Sequence, residues 1–459
     1  MHYLKINDSD KKKIGYLIHL YRTQQFKHLS QNSFLLNEYN EPICTRQTLS
    51  KIEQGVIIKN DSIYEELLKK VNLKFNTDYC IEEFLPTSIF SDLLNACDYY
   101  NLEKLISISE SYIKQLNPFK EYIFFHEYYE CFKWIYTYYS SFELPTLQST
   151  EYIISLKNII NSNLYEVMMD LVFKKRTISG IYDFSYFDFK NSNSMINRGN
   201  HMMILYNQSK LSEMLDYCQD LEKEYSSKNN YIRLLDIYSL KGFAFSNTEK
   251  EKFEKLVSQI NHTVEAHNSN IPEIKISQLL KNIGLQAFRI DMYNIAINYL
   301  EQYIAMDSPY ANIVGIDLCI SYQKTNKINQ LKSFIQSKEV YKGDSQYENL
   351  LNYFILKYKY QTDNDELSYF IVNKVPIIID NTMGKYKQFF YEELSMLVEQ
   401  TKRYKDLKTY LDSTSDMLQF EKAEIERVII YQTNNNIRYK IHIQFLIRNM
   451  LSILLVSIW

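Results

Sequence analysis

Apolar residues in the first 75 positions recur at helical spacing. In Lys11–Gln25, the residues Ile14, Leu17, Ile18 and Tyr21 fall on one stripe. Ser30 and Gln31 open a short second segment that carries Phe34, Leu35 and Leu36. A third segment, ICTRQTLSKIEQG from Ile43 to Gly55, has only Leu49 and Ile52 to anchor it, three positions apart. Its other face is Arg46, Gln47, Thr48, Ser50 and Lys51, polar and without a carboxylate. Thr45 suits an N-cap, and Gly55 suits the residue where a helix stops. Asn60–Leu73 turns Ile63, Leu67, Leu68 and Val71 inward, with Ser62 and Glu65 at capping-box spacing. The pattern predicts helix, short helix, polar helix and helix, followed by a connector at Asn76–Phe90 that holds Pro86.

Beyond the connector the periodicity stays helical. LLKNIGLQAFRIDMYNIAINYLEQYIAM, from Leu279 to Met306, resembles a tetratricopeptide repeat. Gly284 stands where paired helices approach, Tyr293 precedes the second helix, Ala296 lies inside it, and Pro309 is near the exit. Weaker copies in the same phase centre on Met202, Gly242, Cys319 and Ser395, with another near Leu93. A period of about 34 residues implies units that each bury an apolar face against the next. The predicted fold is therefore all-α, an N-terminal helix-turn-helix domain followed by a right-handed α-solenoid of tetratricopeptide-like repeats. The predicted divisions are residues 1–75, a linker at 76–90, repeats over 91–440, and a C-terminal apolar helix over 441–459. Thr177–Asn200, with Gly180, Gly199 and many Ser and Asn, breaks the rhythm and reads as an exposed loop.

Charge and composition sharpen this picture. The first 75 residues hold 12 Lys or Arg against 8 Asp or Glu, while the whole chain is at −3, so a basic head precedes an acidic body. Nine Gly and seven Pro in 459 residues leave room for long helices and short joints. None of the six cysteines has zinc-ligand spacing, which fits buried thiols of a reducing, cytoplasmic compartment. The N-terminus is polar and reads as having no signal peptide. The apolar run after Arg448 is too short to span a bilayer and reads as a packing or dimer helix. Enzyme signatures fail individually. No Gly-rich phosphate loop exists, HEYYE at His126 lacks a second histidine, and His262 and His267 are misplaced for one helix face. The reading is of a non-enzyme with no cofactor.

LSQ at Leu29–Gln31 and ICTRQTLSKIEQG together resemble the Xre/Cro-type domain of the RRNPP peptide-sensing regulators, Rgg and PlcR among them. The resemblance implies DNA contacts from Ser30, Gln31, Thr45, Arg46, Gln47, Thr48, Ser50 and Lys51, and an internal pair between Arg22 and Glu53. The chemistry agrees. Arg and Gln at a helix N-terminus suit guanine and adenine edges, and Ser, Thr and Lys suit phosphates. A polar surface helix with no such role is the plainer alternative. Asn37–Pro42 makes the turn before the third helix about four residues longer than usual for such a motif, which bears on the angle between helices two and three.

In the repeats, positions two before and five after the small residue face the inner wall. They carry Asn200 and Asn207, Asn247, Asn282 and Arg289, and Asp317 and Lys324. A spacing of seven puts each pair on one helix face. The resemblance implies that Asn200, Asn207, Asn247 and Asn282 clamp the backbone of a short signalling peptide. Arg289 or Lys324 would hold a carboxylate. The expectation is a homodimeric, cytoplasmic regulator that binds a palindromic double-stranded operator, with no membrane partner. The alternatives are a protein-interaction scaffold with a vestigial head, and a phage-type communication regulator of related build.

Overall fold

The computed structural model describes residues 6–75, 81–245, 247–306, 313–343, 345–379 and 383–414. The expected terminal helix at 441–459, together with Cys80 and Pro309, lies outside the described residues. The chain is all-α: among the described residues the extended structure consists of two isolated bridges. It forms two compact units, Met1–Ile204 and Leu205–Trp459.

The first unit begins with α1 (Asp8–Gln24), capped by the Asn7 side chain on the Asp10 N–H, with Asp8 and Asp10 favourably placed at its positive end. Ile14, Leu17, Ile18 and Tyr21 are buried, as their spacing predicts. Ser30 caps α2 (Gln31–Phe34), and Thr45 caps α3 (Arg46–Glu53) through the Thr48 N–H. Helix α4 (Asp61–Lys70) differs from expectation at its start. Asn60 is the cap, accepting from Ser62 N, so Ser62 lies inside the first turn and forms no capping box with Glu65. Helix α1 packs against α3 and α4. At Gly15 the fit is so close that a Cβ would stand 2.0 Å from the Ile52 carbonyl oxygen.

The stretch expected as a connector is partly helical. A short α5 (Ile81–Phe84) precedes α6, which starts at Thr87 and runs to Asp98. Then come α7 (Leu102–Leu116), α8 (Phe125–Ser141), α9 (Leu147–Ser155), α10 (Ser162–Ile178) and α11 (Met195–Asn207), whose last three residues are counted in the second unit. Helix α7 packs along α8, and α10 packs on α6 and α9. The loop between α10 and α11 is not the exposed segment expected. Phe184 and Phe189 are buried and pack on the Phe173 ring. Two buried carboxylates tie the loop down: Asp98 accepts from Ser194 Oγ at 2.8 Å, and Glu166 from the Asn193 N–H at 3.2 Å. The aromatics of IYDFSYFDFK outweigh its Gly, Ser and Asn neighbours, since each buried ring contributes roughly 1.5–3 kcal/mol.

The second unit stacks consecutive helices. They are α12 (Leu211–Ser227), α13 (Tyr231–Phe243), α14 (Lys250–His267), α15 (Glu273–Arg289), α16 (Tyr293–Ala305), α17 (Gly315–Lys324), α18 (Ile328–Gln336), α19 (Gln346–Phe354), α20 (Asn364–Asn373), α21 (Val375–Ile378) and α22 (Gly384–Thr401). Helix α13 packs on α12, α14 and α15, α16 lies between α15 and α17, and α17 meets α18 and α19. The strongest sequence unit forms a hairpin of α15 and α16. A Cβ at Gly284 would fall 2.5 Å from Leu300 Cδ2, and Ala296 is fully buried. Small polar residues take the left-handed turn conformation at the joints: Asn229 (φ 55°), Asp291 (φ 59°) and Asn326 (φ 58°).

Candidate functional site

The third helix presents the polar face read from the sequence. Leu49 and Ile52 are fully buried, which fixes the rotation of α3 about its axis. Arg46, Gln47 and Lys51 are then exposed, and Thr48 and Ser50 half-buried. The one carboxylate of the helix, Glu53, turns inward. It accepts from Arg22 Nε at 2.6 Å and Nη2 at 2.9 Å, and lies 3.2 Å from His19 Nδ1. That hydrogen bond raises the Arg22 pKa above its ordinary value. The outward face keeps its positive sign because its acid is spent internally.

Ser30 and Thr45 are placed at helix starts, where their hydroxyls are engaged as caps. Gln31 is half-buried at the start of α2. Arg46 Nε donates to the Asn32 side chain, linking α3 to α2. The extra residues before α3 close on themselves. Asn37 N–H donates to Glu41 O at 2.8 Å, and the Asn37 side chain accepts from Tyr39 and Glu41 N–H. Ile43 N–H then donates to Leu35 O at 2.8 Å, so the chain returns to where it left α2. Burial pushes the neighbouring Cys44 thiol up to about 11, a poor nucleophile.

In the second unit, three of the expected ligand positions share an unusual property. Asn282 donates to Ser239 Oγ at 3.1 Å, but its Oδ1 has no partner among the described residues. Arg289 Nη2 donates to the Phe243 and Phe245 carbonyls at 3.0 and 2.8 Å, while its buried Nε has none. Burial lowers the Arg289 pKa from its ordinary value. Asn207 is buried with both amide atoms unpartnered among the described residues. A buried polar atom left without a partner costs about 1–3 kcal/mol.

The other positions are placed differently from expectation. Asn200 belongs to the first unit, where its amide donates to Asp170 at 3.1 Å inside a buried network with Lys174. Asn247 opens a single 3-10 turn, and its side chain is outside the described residues. Lys324 is ion-paired with Glu392 of α22. Asp317, the partner position, accepts from Tyr386 Oη at 2.6 Å, and burial pushes its carboxyl up to about 7. Helix α22 thus covers the α17 face that was expected to line a wall. Its Lys385 also caps α15, donating to Arg289 O at 3.0 Å and pairing with Asp291 at 2.6 Å. Sequence reading missed Lys385, Tyr386 and Glu392, since nothing local marks residues that meet partners more than 65 positions away.

Comparison with known proteins finds no match to a family model, to a curated protein or to a solved structure. Among the described residues, no cluster of His, Cys, Asp and Glu could hold a metal, and no helix is long and apolar enough to cross a membrane. Cys97, Cys131, Cys218 and Cys319 are buried.

Proposed function

We propose that the protein is a sequence-specific DNA-binding regulator whose N-terminal helix-turn-helix domain lays α3 in the major groove. The supporting observation is the α3 face itself: Arg46, Gln47 and Lys51 are exposed together, and Glu53 is withdrawn into a pair with Arg22. A bidentate pair of Arg or Gln with a base edge discriminates by about 1–3 kcal/mol. One mildly basic head supplies few phosphate contacts, so the proposal includes a homodimer on a palindromic operator. The helical stack of the second unit is proposed as a repeat solenoid that senses a short peptide, in the cytoplasm. The buried atoms of Asn207, Asn282 and Arg289 that lack a partner among the described residues support a site that gains its remaining hydrogen bonds from a ligand. Such a ligand shifts the heads only if it prefers one curvature of the stack.

The test is selection of a duplex from random sequence by the full chain. Fluorescence anisotropy then follows binding between about 50 and about 200 mM salt, where a six-phosphate footprint loses roughly a thousandfold in affinity. Absence of any selected duplex, or binding indifferent to salt and to Arg46→Ala, would overturn the reading. One observation favours the scaffold alternative: Asp317 and Lys324 are already held by α22, which leaves less wall for an extended peptide. Recovery of one folded partner, with no selected duplex, would support it.

A further inference from the structure

The N-terminal helices are fastened to the rest of the first unit through a buried carboxylate. Tyr21, on the inward stripe of α1, is 2% exposed, and its hydroxyl donates to Glu127 Oε1 of α8. The Tyr152 hydroxyl of α9 lies 3.2 Å from the Tyr21 hydroxyl. Glu127 is fully buried, and its second oxygen accepts the Phe124 N–H at 2.5 Å. Phe124 has φ 73°, a conformation bulky residues rarely adopt, so it persists only where its surroundings hold it. Phe75 meets the Phe124 ring edge-on with centroids 6.4 Å apart, and the Lys13 ammonium of α1 sits 5.7 Å from the ring centroid.

A second set of contacts lies beside the first, two main-chain bonds together with an exposed Lys74–Glu121 ion pair. Lys74 N–H donates to Glu121 O, and Ile123 N–H donates to Lys74 O, both at 2.8 Å. The segment after α4 is thereby stitched to the segment before α8. These contacts bear on how far the head can move. Lifting α1 away from α8 would strip a buried carboxylate of its tyrosine donor and break both main-chain bonds. A buried charge left short of donors is among the costlier defects in a fold.

We propose that Tyr21, Glu127 and Tyr152 form a latch that fixes the bearing of α3 on α8 and α9, so that the N-terminal helices move with the first unit and do not swing on a tether. If the regulator reading holds, a signal reaching the heads must carry this unit as one body or open the latch.

The test needs neither DNA nor peptide, so its failure is separable from failure of that reading. Hydrogen–deuterium exchange is followed on the full chain by mass spectrometry, with fragments resolving Lys74 and Ile123. In the wild-type protein these two amides exchange as slowly as the interior amides of α8. Tyr21→Phe and Glu127→Gln each remove one strength of the latch and speed both amides about tenfold or more, leaving the second unit unchanged. Wild-type Lys74 and Ile123 exchanging at open-loop rates would overturn the latch, whether or not either variant folds. So would unchanged protection in both variants with wild-type circular dichroism.

Discussion

The Asp317 carboxyl gives a pH dependence that can be worked through. Burial lifts it from an ordinary 3.8 to about 7, against the opposing pull of the Tyr386 hydroxyl and the Lys385 ammonium. Between those values the folded chain keeps a proton that the unfolded chain has lost. Stability therefore falls as pH rises from about 4 to about 7, at about 1.4 kcal/mol per pH unit, and levels off above. The full effect is about 4 kcal/mol, an upper figure because water entering beside the ionised group would reduce it. Other groups act in other windows. Burial alone would raise Asp236, but Lys275 at 3.1 Å and Arg233 at 2.7 Å hold it below its ordinary value, so its contribution is lost only in stronger acid. Burial lowers Lys281 to about 8, so its effect is a gain in stability above that pH. Asp317→Asn keeps an oxygen to accept from Tyr386 and cannot ionise. Urea unfolding followed by circular dichroism, from about pH 4 to about pH 8, should show the variant gaining steadily on the wild type by up to about 4 kcal/mol. A difference that stays flat across that range would refute the reasoning.

Three further outcomes are expected. Gly15→Ala must push α1 off the Ile52 carbonyl and should cost about 1–3 kcal/mol in thermal melts, whereas Gly199→Ala, with open space around it, should be neutral or gain about 0.5–1 kcal/mol. On a selected operator, Arg46→Ala should lose about 1–3 kcal/mol and relax preference at one base pair, while Lys51→Ala should flatten the salt dependence by about one unit, both read by anisotropy. Asn207→Leu replaces an amide with no partner among the described residues and should raise ligand-free stability by about 1 kcal/mol in urea titration; a loss would mean that the amide is satisfied in solution.

Much of the first unit was legible because its signals are local. Thr45 and Ser30 cap the helices they precede, and the stripe Ile14, Leu17, Ile18 and Tyr21 is buried. The α15–α16 hairpin follows from small residues that let two helices close, Gly284 against Leu300 and Ala296 buried. The α10–α11 loop was misread because Gly, Ser and Asn were weighed above five interleaved aromatics, and ring burial prevailed. The start of α4 was misread because Asn60 and Ser62 are both good caps and only the path of the chain chose between them.

By itself the sequence determined an all-helical chain, the polar face of α3 and the pairing of α15 with α16, since helix periodicity, capping and small-residue contacts act within a few turns. Tertiary structure alone decided that Tyr21 meets Glu127 of α8, and that α22 returns to Asp317 and Lys324. The physical reason is that a buried charge takes whichever donor the packing brings to it, and separation along the chain leaves no periodic trace of that choice.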